Sequence, residues 1–329
     1  TSFFPEGGNL VTGLQSKIAF KVTDRFGKGV ACNGFILGTA ADTLARFSTL
    51  KFGIGSFLFT PQSGKPYTAV IILPDGKRIE KELPAPYSSG LVMRLEEAGN
   101  GRLRITVRSS GAGQSTRGVY IFVHTRNANK LVMHENISNG QAIFMIDKSR
   151  IGEGISHFTI FTDDRKPVCE RLYFKYPRQE FSTAVMAEKV GYGLRNKVNL
   201  HLQTNDVNNL PVEANMSMAV YRVDSLQDAS GVDINTYLWL NADLAGNIES
   251  PEYYFSGNGT GLEAATDNLM LSHGWRRFHW EDVLGNKAGS FEFITEYAGH
   301  IVTAKVTDSR SGLPAKDINC YISVTGTQS

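Results

Sequence analysis

The residues of this chain with the chemistry to catalyse or to hold metal are seven histidines, three cysteines and a few close pairs of acids. The histidines are His124, His134, His157, His201, His273, His279 and His300, and no two stand in an HxH or HxxxH spacing. His124 and His134 could face each other across a hairpin, but no neighbouring acid or cysteine completes a ligand set. A serine nucleophile needs a strained turn such as GxSxG together with a base and an orienting acid, and no GxSxG occurs. Ser156 and His157 are adjacent, and neighbours on a strand point to opposite faces, so they are not expected to hydrogen-bond. Asp163-Asp164 and Glu96-Glu97 read as solvated acids in turns. Without an Asp-x-Asp-x-Asp-Gly pattern, neither Asp163-Asp164 nor Asp206 is expected to hold calcium. Cys32, Cys169 and Cys320 are far apart and odd in number, which predicts free buried thiols rather than a disulfide framework or a zinc site. Gly53-Ile54-Gly55 lacks the further glycine and the helix of a phosphate loop.

What remains is a set of aromatic anchors. Tyr253-Tyr254-Phe255 and the cluster of Trp275, Phe278 and Trp280 are the strongest, and Arg276-Arg277 places cations between the rings of the second. Trp275, Arg276, Arg277 and Trp280 are therefore the candidate partner-binding residues. The plainer alternative is a linker latched onto a third sandwich. Asn258-Gly259-Thr260 matches a glycosylation sequon, although a helix cap explains the threonine better. No catalytic, cofactor-binding or metal-binding residue is assigned, and the chain is expected not to be an enzyme.

The elements that must position these residues are mostly strands. Ile18, Phe20 and Val22 alternate with Lys17, Lys21 and Thr23, the pattern of a half-buried strand. Further strands read at 55–60 and 67–73, the latter closed by the turn Pro74-Asp75-Gly76. Leu103, Ile105 and Val107 alternate against Arg102, Arg104, Thr106 and Arg108, and strands follow at 119–123, 142–146, 158–161 and 171–174. Short strands punctuated by Gly and Pro imply sandwiches. An acidic turn recurs three times, at Asp24 through Gly27, Asp206 through Asn209 and Asp308 through Gly312, each ending at a small residue or proline that opens the next strand. One segment breaks this rhythm. Thr260-Gly261-Leu262-Glu263 reads as a capping box, and Leu262, Ala265 and Leu269 follow at helical spacing, which predicts one helix from about 261 to 273.

A length of 329 residues exceeds one hydrophobic core, and 41% hydrophobic with 20% charged residues fits a folded protein. The net charge of +2 provides no field for nucleic acid or anionic lipid. No apolar run approaches the ~20 residues of a membrane-spanning helix. The chain opens on Thr1, which predicts a piece of a longer protein.

Several strings resemble macroglobulin-like (MG2-type) domains of large exported proteins of the Bacteroidetes. They are Phe3 to Val11, Gly154 to Phe161, Cys169 to Leu172, Asp243 to Glu249 with Pro251 and Tyr253 to Phe255, and Leu269 to Phe278. The tail from His300 resembles the start of a carboxypeptidase-regulatory-like sandwich. The fold class expected is mainly β: tandem immunoglobulin-like or macroglobulin-like β-sandwiches with one short helix in the third. The boundaries expected are 1–90, 91–177, 178–288 with the helix, and 289–329 as a truncated start. The resemblance implies a periplasmic, outer-membrane or cell-surface location, and membrane association only through regions outside this sequence. It also implies a non-enzymatic binding or scaffolding role, linked to TonB-dependent uptake, with a protein partner or glycan at the cell envelope. The rival readings are a glycan-binding accessory module and a macroglobulin-like protease inhibitor. The inhibitor reading lacks its thioester here, because Cys32 precedes Asn33, Cys169 precedes Glu170 and Cys320 precedes Tyr321.

Overall fold

The computed structural model describes residues 1–40, 42–62, 64–110, 117–178, 181–218, 220, 233–257, 260–274, 280–285, 305–308, 310–315 and 318. The chain divides into two compact units, Thr1–Arg277 and Phe278–Ser329.

The larger unit begins with strands β1 (Ser2–Pro5), β2 (Ser16–Lys21), β3 (Asn33–Leu37), β4 (Thr43–Ser48), β5 (Ile54–Phe59), β6 (Thr68–Ile72) and β7 (Arg78–Glu82). They form two antiparallel sheets, β1-β2-β5 and β4-β3-β6-β7, whose inner faces share one core. Ile18 and Phe20 of β2 are fully buried, as the alternation requires. Phe20, Phe47 and Phe57 pack as a ring cluster, with centroids 4.7 Å and 5.1 Å apart along it. Gly34 of β3 makes the room: a Cβ there would lie 2.3 Å from the Phe47 ring. The second face of β2 departs from the half-buried expectation, because Ala19 is also fully buried and Lys17 and Lys21 are half-buried. A helix lies on that face, and the two lysines reach its acid and its histidine.

The second sandwich is built from β8 (Gly90–Glu97), β9 (Arg102–Ser110), β10 (Gly118–Thr125), β11 (Ala128–Asn136), β12 (Gln141–Asp147), β13 (Gly154–Thr162) and β14 (Pro167–Lys175). Its sheets run β12-β9-β8 and β11-β10-β13-β14, all antiparallel. Leu103, Ile105, Val107, Ile121, Phe144 and Phe158 are fully buried between them. Each such side chain contributes roughly 1.5–3 kcal/mol through removal from water. Glu96 and Glu97 end strand β8 rather than forming a turn. Glu97 is held there by Lys148 and by the Tyr173 hydroxyl.

Beyond Lys175, β15 (Phe181–Ala187) and β16 (Leu200–Asp206) pair as a hairpin, and every residue of β15 is exposed. Among the described residues, four helical elements follow: α1 (Ile234–Trp239), capped by the Asp233 carboxylate, 3-10 turns at Asn241–Asp243 and Pro251–Phe255, and α2 (Thr260–Ser272). Helix α2 falls where the apolar spacing predicts it. The additional helix α1 is six residues long, too short to leave a 3.6-residue period in the sequence. In the smaller unit, α3 spans Trp280–Leu284.

The recurring acidic turn is real in all three places. Asp24 accepts from the N–H groups of Phe26 and Lys28 around Gly27 (φ 83°). Asp206 accepts from Asn208 and Leu210 around Asn209 (φ 63°). Asp308 accepts from Arg310 and Ser311 before Gly312 (φ 68°). In each, one carboxylate satisfies two backbone donors while a residue able to adopt positive φ reverses the chain.

Candidate functional site

Arg171 lies on β14 among Cys169 and Tyr173, on the face turned into the second sandwich, and only 3% of it is exposed. A guanidinium there requires compensation. Its Nε donates to Glu6 Oε1 at 2.9 Å, and its terminal nitrogens bond the Asp267 carboxylate and the Leu172 carbonyl. Lys17 Nζ donates to the other Asp267 oxygen at 2.7 Å. Two cations and two carboxylates thus form a balanced chain from β2, through α2, to β14 and the residue following β1. Burial works against the charge of Arg171, but Asp267 and Glu6 hold its pKa above the ordinary arginine value. Burial likewise pushes Asp267 upward, and Arg171 and then Lys17 outweigh it, so its carboxyl sits below the usual range.

Glu6 also closes an edge of the second sandwich. Its Oε1 accepts from the Leu95 N–H of β8 at 3.0 Å, while the adjacent Gly7 carbonyl accepts from Glu170 N–H of β14 at 3.3 Å. Gly7 is required at this point. Its φ is +82°, and a Cβ would meet the Cβ atoms of Cys169 and Met93 at 3.3 Å. The segment that pairs with the first sandwich as β1 therefore continues directly into the seam of the second.

An apolar cluster completes the joint. Ile54 of β5 and Ile155, Leu172 and Phe174 of the second sandwich pack with Leu240, Leu244, Ile248, Tyr254, Ala265 and Leu269 of the helical segment. Tyr254 is 1% exposed; Tyr253 sets its ring edge-on to Phe52 at 5.3 Å with Lys51 over it at 5.0 Å. The Tyr-Tyr-Phe string is thus latched onto the first two sandwiches, not onto a third. At the rim, Glu249 accepts from Gly29 N–H at 2.6 Å, and Arg126 lies 3.9 Å over the Trp239 ring.

Lys21 Nζ approaches His273 Nε2 at 2.8 Å, and His273 Nδ1 approaches Ser272 Oγ at 3.0 Å. With the ammonium donating, Nε2 accepts, Nδ1 carries the proton toward Ser272, and Ser272 donates to the Asn268 carbonyl. Burial, reinforced by Lys21, lowers the His273 pKa to about 4, so the imidazole is neutral at pH 7. Burial also lowers the Lys21 pKa, with Glu249 opposing it.

The other sequence candidates have structural partners. His124 does not face His134. It pairs with His157 on β13, rings stacked 4.6 Å apart, because β10 meets β11 in a register that places Tyr120 opposite His134. Ser156 shares a hydrogen bond with Thr125 Oγ1 at 2.7 Å. Asp163 accepts from the N–H groups of Arg117 and Gly118 and contacts His134 at 3.2 Å; Asp164 bonds Thr162. Among the described residues, no three His, Cys, Asp or Glu side chains are arranged to hold a metal ion. Cys32 and Cys169 are free and buried, and Cys320 lies outside the described residues. Of the candidate partner-binding residues, Trp275, Arg276 and Arg277 also lie outside them, together with Phe278 and Asn258. Trp280 opens α3 and is 7% exposed.

The ionic joint itself was not singled out by residue type, since a lone Arg or Glu in a strand reads as a solvated face. One signal was present. The strings Phe3–Val11, Cys169–Leu172, Asp243–Glu249, Tyr253–Phe255 and Leu269–His273 are distant in sequence, yet all of them contribute to this joint.

No family model matches the sequence, and no curated protein matches it. Among solved structures, the chain is similar to a "Biofilm associated protein - BSP domain", with 12% identity and a TM-score of 0.27. The match covers 52% of this chain and 29% of that one, so the chain spans less than a third of its length.

Proposed function

We propose that this chain is a non-enzymatic scaffolding segment of a larger exported, outer-membrane-associated protein, whose task is to hold two β-sandwiches in one fixed relation. The observation that carries the reading is the buried Arg171–Glu6–Asp267–Lys17 chain, which ties strands of both sandwiches to α2. Inter-domain contacts that permit motion are small and polar at the rim. This one places four ion-paired side chains and a hydrophobic cluster at the same joint. Among the described residues, Ser156, His157, Asp163 and Asp164 each have a neighbouring side chain or backbone group as partner, which favours a structural role for these four.

Export, the cell-envelope location and a link to TonB-dependent uptake rest on the macroglobulin-like strings. No helix among the described residues is long and apolar enough to cross a membrane. A partner protein, rather than a glycan, is the occupant this reading favours.

The test is the distance between spin labels at exposed Lys77 and Lys130, one on each sandwich. A single narrow distribution is expected. A broad one spanning more than about 10 Å, as a flexible linker allows, contradicts a scaffolding role.

A further inference from the structure

We propose that the second sandwich binds an extended peptide segment of a partner protein, by strand addition in the open part of the seam between β8 and β14. Both strands are sheet edges, β8 in β12-β9-β8 and β14 in β11-β10-β13-β14. An edge strand presents unpaired backbone groups in alternation and is a template for another strand. Over part of the seam the chain fills this need itself, Glu6 taking the Leu95 N–H and Gly7 the Glu170 N–H.

Past that plug a cleft of about 790 Å³ lies along the seam. Its walls include the consecutive runs 94–97 of β8 and 173–176 at and beyond the end of β14. A strand that shows a face lines a cavity with every second residue; consecutive residues line it only where the strand shows its edge. By the alternation that turns Leu95 and Glu170 outward, Glu97 and Phe174 also direct their peptide groups into the cleft. Neither makes a backbone hydrogen bond outside its own sheet among the described residues. A strand added to either edge lies ~4.8 Å from it. Four residues of edge give it a run of about 13 Å.

The side chains define what the strand must carry. Lys17, Arg94 and Lys148 are each matched locally, by Asp267, Glu96 and Glu97. Exposed Arg178 and, on α2, exposed Glu263 also line the cleft, and neither has an ion-pair partner among the described residues. Asp147 and Lys175 line it too without an ion-pair partner among the described residues, Asp147 accepting from the Ser149 N–H and Lys175 donating to the Lys148 and Ile151 carbonyls. Two such charges of each sign suit a peptide bearing both acidic and basic residues and disfavour a polyanion. The proposal does not depend on the scaffolding reading, since the joint is complete whether the cleft is empty or filled.

The test uses the whole chain, panned against a phage-displayed library of random ten-residue peptides. A selected peptide is then synthesised and titrated calorimetrically against wild type, Arg178→Glu and Glu263→Lys. Arg178 is exposed beyond β14; Glu263 is exposed but stands in the first turn of α2, so circular dichroism first establishes that Glu263→Lys keeps its fold. Each variant is expected to bind about two- to fivefold more weakly. Methylating alternate backbone nitrogens of the peptide is expected to weaken binding by about tenfold or more, because strand addition uses main-chain donors. An empty selection, equal binding to wild type and both variants, or indifference to methylation in either alternation overturns the proposal.

Discussion

Replacing Arg171 with methionine removes the only group that binds Glu6, Asp267 and the Leu172 carbonyl together, while preserving most of the side-chain volume. Glu6 is left 1% exposed with no cation, retaining the Leu95 N–H, and Asp267 keeps only Lys17. Breaking a buried pair by removing one partner costs about 3–5 kcal/mol, chiefly the penalty of the stranded charge. The intact network is not itself a large net stabiliser, because desolvating four charges offsets most of their attraction. That asymmetry makes a second expectation. Adding Glu6→Gln, which keeps an acceptor for Leu95, and Asp267→Asn to Arg171→Met should restore at least half of the loss. Urea denaturation followed by circular dichroism reads both. A single variant that loses less than about 1 kcal/mol, or a triple variant no more stable than the single, refutes the reasoning.

Other outcomes follow from the same geometry. His273, with a folded pKa of about 4 against an ordinary value near 6.5, stays neutral in the fold while the unfolded chain takes up its proton. Its contribution is complete above pH 6.5 and is lost as pH falls from 6.5 toward 4, about 3 kcal/mol in all; His273→Gln should flatten that part of a stability-versus-pH curve. Asp267, depressed below the carboxylate range, adds a further loss only at more acidic pH, which Asp267→Asn should remove. Gly7→Ala forces a side chain into positive φ and against Cys169 and Met93. It should cost about 1–3 kcal/mol in the same denaturation assay, and a neutral result would disprove the close approach. The Cys169 thiol, its pKa pushed up to about 12 by burial, should react with Ellman's reagent at pH 8 only as fast as the protein opens, measured in a Cys32→Ser, Cys320→Ser background.

Much of the β framework was readable because its rule is local. Alternation at Ile18–Val22 and Leu103–Val107 reports one buried face whatever lies beyond it, and the acidic turns need only an Asp and a residue tolerant of positive φ. Helix α2 was readable from its apolar spacing. What packs against the other face of a strand is a long-range fact. Lys17 and Lys21 look solvated from their neighbours, yet they meet Asp267 and His273 some 250 residues away. Arg171 and Glu6 are hidden for the same reason, being 165 residues apart. The His124–His134 pairing failed on register: Arg126-Asn127, both with positive φ, form a two-residue turn that sets Thr125 opposite Ala128 and, past a bulge, Tyr120 opposite His134, and without a glycine that turn does not show in the sequence.

The central claim is that residues of both sandwiches and the helical segment form one cooperative body. Differential scanning calorimetry of the whole chain tests it directly. The account predicts that the two sandwiches unfold in a single transition whose van't Hoff and calorimetric enthalpies agree, and that Arg171→Met splits this transition in two. Two separate transitions for the sandwiches in the unaltered protein, unmoved by Arg171→Met, would contradict it.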